Sequence, residues 1–229
     1  MKYSTVSQMF NRVTLEHENR KLYFHKNKGK WEGIPGSEIR STVKNLAFAF
    51  QSIEIGKGSN VALLSNNSPR WAMGDYGIIC SGAATVSVYP TLIAPQVEYI
   101  LNDSTSQVVM VENQEQLEKI NAIWHNCIQL GHVIVLDDSD DSEDARIINF
   151  TDFLIMGSQF EKQSGSNFEN LTKIAEPGDL LTLIYTSGTT GNPKGVMLTH
   201  GNMMSNVEGI SRLISFDQTE KFLSFLPLS

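Results

Sequence analysis

The chain has 229 residues, 41% of them hydrophobic and 19% charged, an ordinary balance for an α/β protein long enough to bury a good core. Acidic residues outnumber Lys and Arg by 25 to 18, a net charge of −7. That sign excludes a general attraction to nucleic acid and leaves any anionic ligand dependent on local donors.

No apolar run approaches the ~20 residues of a membrane span, and no secretory leader is visible, so the expected location is cytoplasmic. Cys80 and Cys127 lie in Ile-Ile-Cys and Trp-His-Asn-Cys-Ile, apolar helical patterns in which a buried free thiol is expected and metal spacing is absent.

Arg20, Lys21, Lys26, Lys28 and Lys30 cluster around Tyr23, Phe24 and Trp31. The pattern predicts a solvated hairpin turning at Asn27 to Gly29 and leaves a peripheral contact with a membrane surface open. Ser37 or Gly36 starts a helix with Ile39, Val43, Leu46, Ala47, Phe50 and Ile53 at helical spacing. Val61 to Leu64 reads as a buried strand. Ser68-Pro69 is a cap and first-turn pair opening a helix that Gly82 closes, and Thr85 to Tyr89 follows as a strand.

Pro95 opens the next helix, with Val97, Ile100 and Leu101; Gln107 to Val111 is a third strand. Leu117, Ile120, Ile123, Trp124, Cys127 and Ile128 form an apolar stripe predicted to run as one helix to Gly131. His132 to Leu136 is the fourth strand. The acidic run 137–144 lacks the glycine and the closing glutamate of an EF-hand register and reads as a solvated loop. Residues 157–170, polar around Phe160 and Phe168, read as a surface connection.

Glu176-Pro177-Gly178-Asp179 marks a boundary. Beyond it come a strand (180–185), a polar loop, a second strand (195–199) and a helix carrying Met203, Met204, Val207, Ile210, Leu213 and Ile214. The fold class is therefore α/β, with parallel-rich sheets flanked by helices. An amino-terminal subdomain is expected over 1–178, and a second subdomain carrying the loop over 179–229.

The loop is the most informative stretch. Thr186, Ser187, Thr189 and Thr190 offer hydroxyls, Gly188 and Gly191 permit close backbone approach, and Lys194 adds one cation. Such a segment has little to bury and much to donate, which suits a polyphosphate. It is not a Walker loop, since Lys194 precedes Gly195 and follows Pro193, and no G-x-G-x-x-G occurs in the chain.

The run from Tyr185 to His200 instead resembles the phosphate-binding signature of the acyl-adenylate-forming superfamily. Ser65 to Ala72, Gly82 to Val86, Tyr89-Pro90-Thr91, Trp31-Glu32 and Tyr99 to Ser104 further resemble the amino-terminal region of long-chain fatty-acid–CoA ligases. The resemblance implies the incomplete amino-terminal domain of an adenylate-forming enzyme. It also implies a two-step reaction: ATP and a fatty acid give acyl-adenylate and pyrophosphate, then coenzyme A displaces AMP. A fatty carboxylate is already ionised near pH 7, so no general base is needed.

By the same resemblance Thr186, Ser187, Gly188, Thr189, Thr190, Gly191 and Lys194 contact the phosphates. Thr186 is the implied Mg2+ ligand and Lys194 the implied catalytic cation. His200 is expected to start the following helix, not to act as acid or base. The later acidic motif, the ribose-binding Asp and a mobile carboxy-terminal domain known in the family have no counterpart here. The chain alone is accordingly expected to be inactive, with open strand edges that invite self-association. A short non-catalytic ligase-like module, or an adenylating enzyme for another carboxylic or amino acid, is the alternative.

Overall fold

The computed structural model describes residues 3–137, 142–186, 192–215, 217 and 219–228. Helix α1 (Val6–Glu16) leads into the hairpin β1 (Lys21–Asn27) and β2 (Lys30–Pro35), whose turn holds Lys28 and Gly29 at φ 46° and 83°. Then come α2 (Gly36–Ser52), β3 (Asn60–Leu64), α3 (Pro69–Ser81), β4 (Ala84–Val88), α4 (Ala94–Asp103) and β5 (Val108–Val111). Next are α5 (Gln114–Ile123), a 3₁₀ turn at Trp124–Asn126, β6 (His132–Val135), β7 (Ile147–Asn149), α6 (Phe150–Ser164) and α7 (Phe168–Leu171). The described chain closes with β8 (Leu180–Thr186), β9 (Lys194–Thr199) and α8 (His200–Leu213).

Among the described residues a seven-stranded sheet runs in the order β7-β6-β5-β3-β4-β8-β9. Every pair is parallel except β8 with β9, which is antiparallel. Alternating side chains of each strand feed two cores. Val61, Leu63, Val108, Met110 and Ile134 pack with α2, α3 and α6; Ala62, Leu64, Val86, Val109 and Val133 pack with α4 and α5. Burial on both faces explains why these strands read as unbroken apolar runs.

Local signals behave as their chemistry dictates. Ser68 Oγ accepts the Trp71 N–H at 3.0 Å, and Gly82 ends α3 at φ 92°, where a side chain would be strained. Both cysteines are free and buried.

Three readings need correction. Residues 157–170 are not a surface connection: α6 runs through Ser164, and Phe168 of α7 is buried. Gly157 presses α6 against the α2 backbone so closely that an added Cβ would lie 1.8 Å from Asn45 O. The polar residues around it form the outer face of that helix. Second, the helix after Asn113 ends at Ile123 and tightens into the 3₁₀ turn, leaving Ile128 89% exposed. The Trp124 indole N–H donates to Leu130 O at 2.9 Å, which draws the chain out of helical register. Third, α1 and β7 add elements that the sequence pattern did not announce.

The expected boundary at 178/179 falls in the connection entering β8, and the sheet runs across it. Lys57 Nζ pairs with Asp179 at 2.8 Å, while the Glu176 N–H donates to Asp179 Oδ2 at 2.7 Å.

Candidate active site

Strand order reverses around β3: the chain passes from β3 to β4 on one side, then returns to β5 on the other. In open α/β sheets the carboxyl ends of strands at such a reversal are where ligands bind. Because β8 is parallel to β4, with Thr85, Val86 and Ser87 facing Thr182, Leu183 and Ile184, its carboxyl end opens on that same edge. The Thr182 hydroxyl fixes this register by donating to Thr85 O at 2.9 Å.

Thr186 closes β8 and Lys194 opens β9, and the two are direct partners in the antiparallel ladder. Both are exposed, and Lys194 makes no ion pair among the described residues. Of the residues predicted to contact phosphate, the structure therefore brings Thr186 and Lys194 together. Ser187, Gly188, Thr189, Thr190 and Gly191 lie outside the described residues.

The strand ends are held from behind. The Tyr185 ring is buried, and its O–H donates to Asp103 Oδ2 at 2.6 Å. Burial, then the bond to that carboxylate, raises the phenol's pKa well above its ordinary value. Gly195, opposite Tyr185 in the ladder, leaves room for the ring: a Cβ there would come within 3.2 Å of Tyr185 Cζ. Sequence reasoning placed Tyr185 and Gly195 in the motif and Asp103 in a separate run; only the topology joins them.

His200 begins α8, as expected. Thr199 Oγ1 accepts the Asn202 N–H at 3.1 Å and Asn202 Oδ1 accepts the Thr199 N–H at 3.0 Å, a reciprocal cap. The His200 ring is 1% exposed, and its Nδ1 accepts the Val6 N–H at 3.2 Å. Burial lowers its pKa, opposed by Asp179. A neutral imidazole engaged in tying α8 to α1 is a structural group.

Among the described residues no cluster of three His, Cys, Asp or Glu could hold a metal. Magnesium bound with a nucleotide takes most of its oxygens from phosphates and water. The exposed Thr186 hydroxyl fits that small share of the coordination, whereas a dedicated protein cage does not fit these residues.

The AMP-binding enzyme family matches residues 11–229. The chain belongs to that family. It is 29% identical over 229 residues to the long-chain-fatty-acid–CoA ligase ACSBG1 of Rattus norvegicus, covering 98% of this chain and 31% of the relative. It is 31% identical over 220 residues to fatty acyl-CoA synthetase A of Dictyostelium discoideum, covering 92% and 31%. The chain thus spans about a third of the length of the curated relatives it matches.

Two solved structures superpose well on this chain. A long-chain-fatty-acid-CoA ligase (FadD1) from Archaeoglobus fulgidus has a TM-score of 0.73 at 23% identity, covering 91% of this chain and 39% of that one. The anthranilate CoA ligase AuaEII, in complex with anthranoyl-AMP, has a TM-score of 0.72 at 23% identity, covering 90% and 37%. At such identities the likeness establishes the fold alone.

Proposed function

We propose that the natural protein activates a long-chain fatty acid with ATP through an acyl-adenylate and transfers the acyl group to coenzyme A. The observation that carries the reading is the exposed Thr186–Lys194 pair, opposed at the carboxyl edge of a doubly wound sheet in an AMP-binding chain. The acid class is suggested by the sequence relatives, which are fatty-acid ligases.

A carboxylate oxygen attacks the α-phosphorus, forming the acyl–phosphate bond as the bond to pyrophosphate breaks. The coenzyme A thiol then attacks the acyl carbon, giving up its proton to solvent, as the bond from that carbon to AMP breaks. The first step brings an anion to a polyanion, so the task of the protein is to bind and orient charge. Thr186, Ser187, Thr189 and Thr190 donate to phosphate oxygens, Gly188 and Gly191 admit the nucleotide close to the backbone, and Lys194 sets a positive charge beside the leaving pyrophosphate. Each such bond to a charged group contributes about 1.5–3 kcal/mol. Magnesium, with Thr186 among its ligands, supplies further charge neutralisation when bound.

Residues 179–229 are proposed as the opening of a second subdomain. We propose a cytoplasmic location, in which the β1–β2 hairpin is either solvated or the point of a peripheral membrane contact. On that hairpin Lys26 pairs with Trp31, and Trp31 is 61% exposed.

The test is ATP–pyrophosphate exchange by the natural protein, with acids from acetate to palmitate and with benzoate and amino acids, followed by thioester formation. Exchange greatest with long-chain acids supports the assignment. Exchange only with aryl or amino acids removes the fatty-acid reading, and no exchange with any acid removes the ligase reading in favour of a non-catalytic module.

A further inference from the structure

Asp103 ends α4, where unpaired carbonyls make a helix terminus electrically negative and a carboxylate is disfavoured. Two phenols offset that placement. The Tyr185 O–H donates to Oδ2 at 2.6 Å, and the Tyr99 O–H reaches Oδ1 at 3.5 Å. Asp103 itself is exposed, whereas the Tyr185 ring it holds is 8% exposed and packs with Leu64, Val86 and Val88 in the core beneath α4. The ring also lies beside Gly195, where a Cβ would come within 3.2 Å of Cζ and 3.4 Å of the hydroxyl. One carboxylate thereby ties α4 to the adjoining ends of β8 and β9.

We propose that Asp103 is a positioning residue for nucleotide binding, acting through Tyr185. Side chains alternate along a strand, so anchoring Tyr185 on the α4 face turns Thr186 to the opposite face. The Tyr185–Gly195 pair precedes the Thr186–Lys194 pair in the ladder, so fixing the first sets the second. The Thr186 hydroxyl and the Lys194 ammonium are then presented to phosphate from a fixed spacing. This inference rests on the reading of the hairpin as a phosphate site.

The experiment compares Tyr185→Phe, Asp103→Ala and the double variant in the natural protein. Residue-resolved amide hydrogen exchange is measured together with KM and kcat for MgATP in pyrophosphate exchange. Each single variant is expected to speed exchange at the Thr186 and Lys194 amides about tenfold, with the β3 amides unchanged. Each is expected to raise KM for MgATP about tenfold with kcat nearly unchanged. The double variant should be no worse than Asp103→Ala, and Asp103→Asn, which keeps an acceptor, should recover part of the loss. Unchanged amide exchange in both singles, or effects that multiply in the double, would overturn the tether. A wild-type protein with no acid-dependent pyrophosphate exchange would refute the ligase reading instead, and the amide measurements would still decide the tether.

Discussion

Replacing Lys194 by Ala separates the proposed chemistry from the fold. Lys194 is exposed at the first position of β9, opposite Thr186. It holds no ion pair among the described residues, so its removal takes nothing from the core. A surface change of this kind is expected to alter stability by less than about 0.5 kcal/mol. If the ammonium contacts a phosphate oxygen, the loss is that of one charge-assisted bond, about 1.5–3 kcal/mol, or roughly 10- to 150-fold in rate.

The kinetic parameter that moves identifies the role. A contact equal in ground and transition states raises KM alone, whereas one that strengthens as pyrophosphate leaves lowers kcat. The assay is acid-dependent pyrophosphate exchange alongside thermal unfolding, with Lys194→Arg retaining the charge in a different geometry. Aggregation is monitored as well, because among the described residues β9 ends the sheet and lysine on an edge strand discourages pairing with another chain. Exchange within twofold of wild type would refute the assignment, as would a loss of rate that merely follows a loss of folded protein.

Gly157→Ala should destabilise the protein by about 3 kcal/mol in urea unfolding, since the new methyl would sit 1.8 Å from Asn45 O and 2.8 Å from Ala49 N; a cost below about 1 kcal/mol would show that α6 can retreat freely. Asp75 is partly buried and accepts from the Thr85 hydroxyl at 2.6 Å; burial, opposed by that bond, raises its pKa to about 6. A folded pKa above the unfolded value means stability is full below about pH 4 and declines as pH rises through 6. The full shift is worth about 3 kcal/mol, discounted to about 2 for partial exposure, so Asp75→Asn should gain that much at pH 7.5 and nothing at pH 4; equal gains at both would refute it. Trp31→Ala should weaken sedimentation with phosphatidylserine vesicles several-fold, and Lys26→Gln by about fivefold at low salt; unchanged binding by both would remove the hairpin as the membrane-facing element.

What the sequence made legible is what chemistry fixes within a few residues. The Ser68-Pro69 cap, the stop at Gly82, the Lys28-Gly29 turn and the apolar strand runs depend on neighbours in the chain. Thr186 and Lys194 drew notice because their residue types declare a polar, donor-rich segment, and the ladder sets the two opposite each other. The long helix α6 escaped because its buried face rests on Phe150, Phe153 and a glycine, and a glycine contact leaves no apolar mark in a periodicity. Insertion of β8 beside β4 escaped for a different reason, since strand order is a property of the assembled sheet. Asp103 is 82 residues from Tyr185, and no local pattern couples an acidic residue ending one helix to a phenol ending a distant strand.

The reversal between β8 and β9 bears on function through its length and composition. An antiparallel pair can be closed by as few as two residues, and the β1–β2 hairpin of this chain turns through only Lys28 and Gly29. The connection from Thr186 to Lys194 spans 187–193, longer than chain reversal demands. Within that connection Ser187, Thr189 and Thr190 carry hydroxyls able to donate to a ligand as well as to close a turn on the backbone. On the proposed reading those donors serve a ligand rich in acceptors, and the negative overall charge means that attraction to it must be local. Under that proposal a short polyanion at the carboxyl edge of the sheet would meet those donors, with Lys194 at the first rung of β9 as the cation beside it.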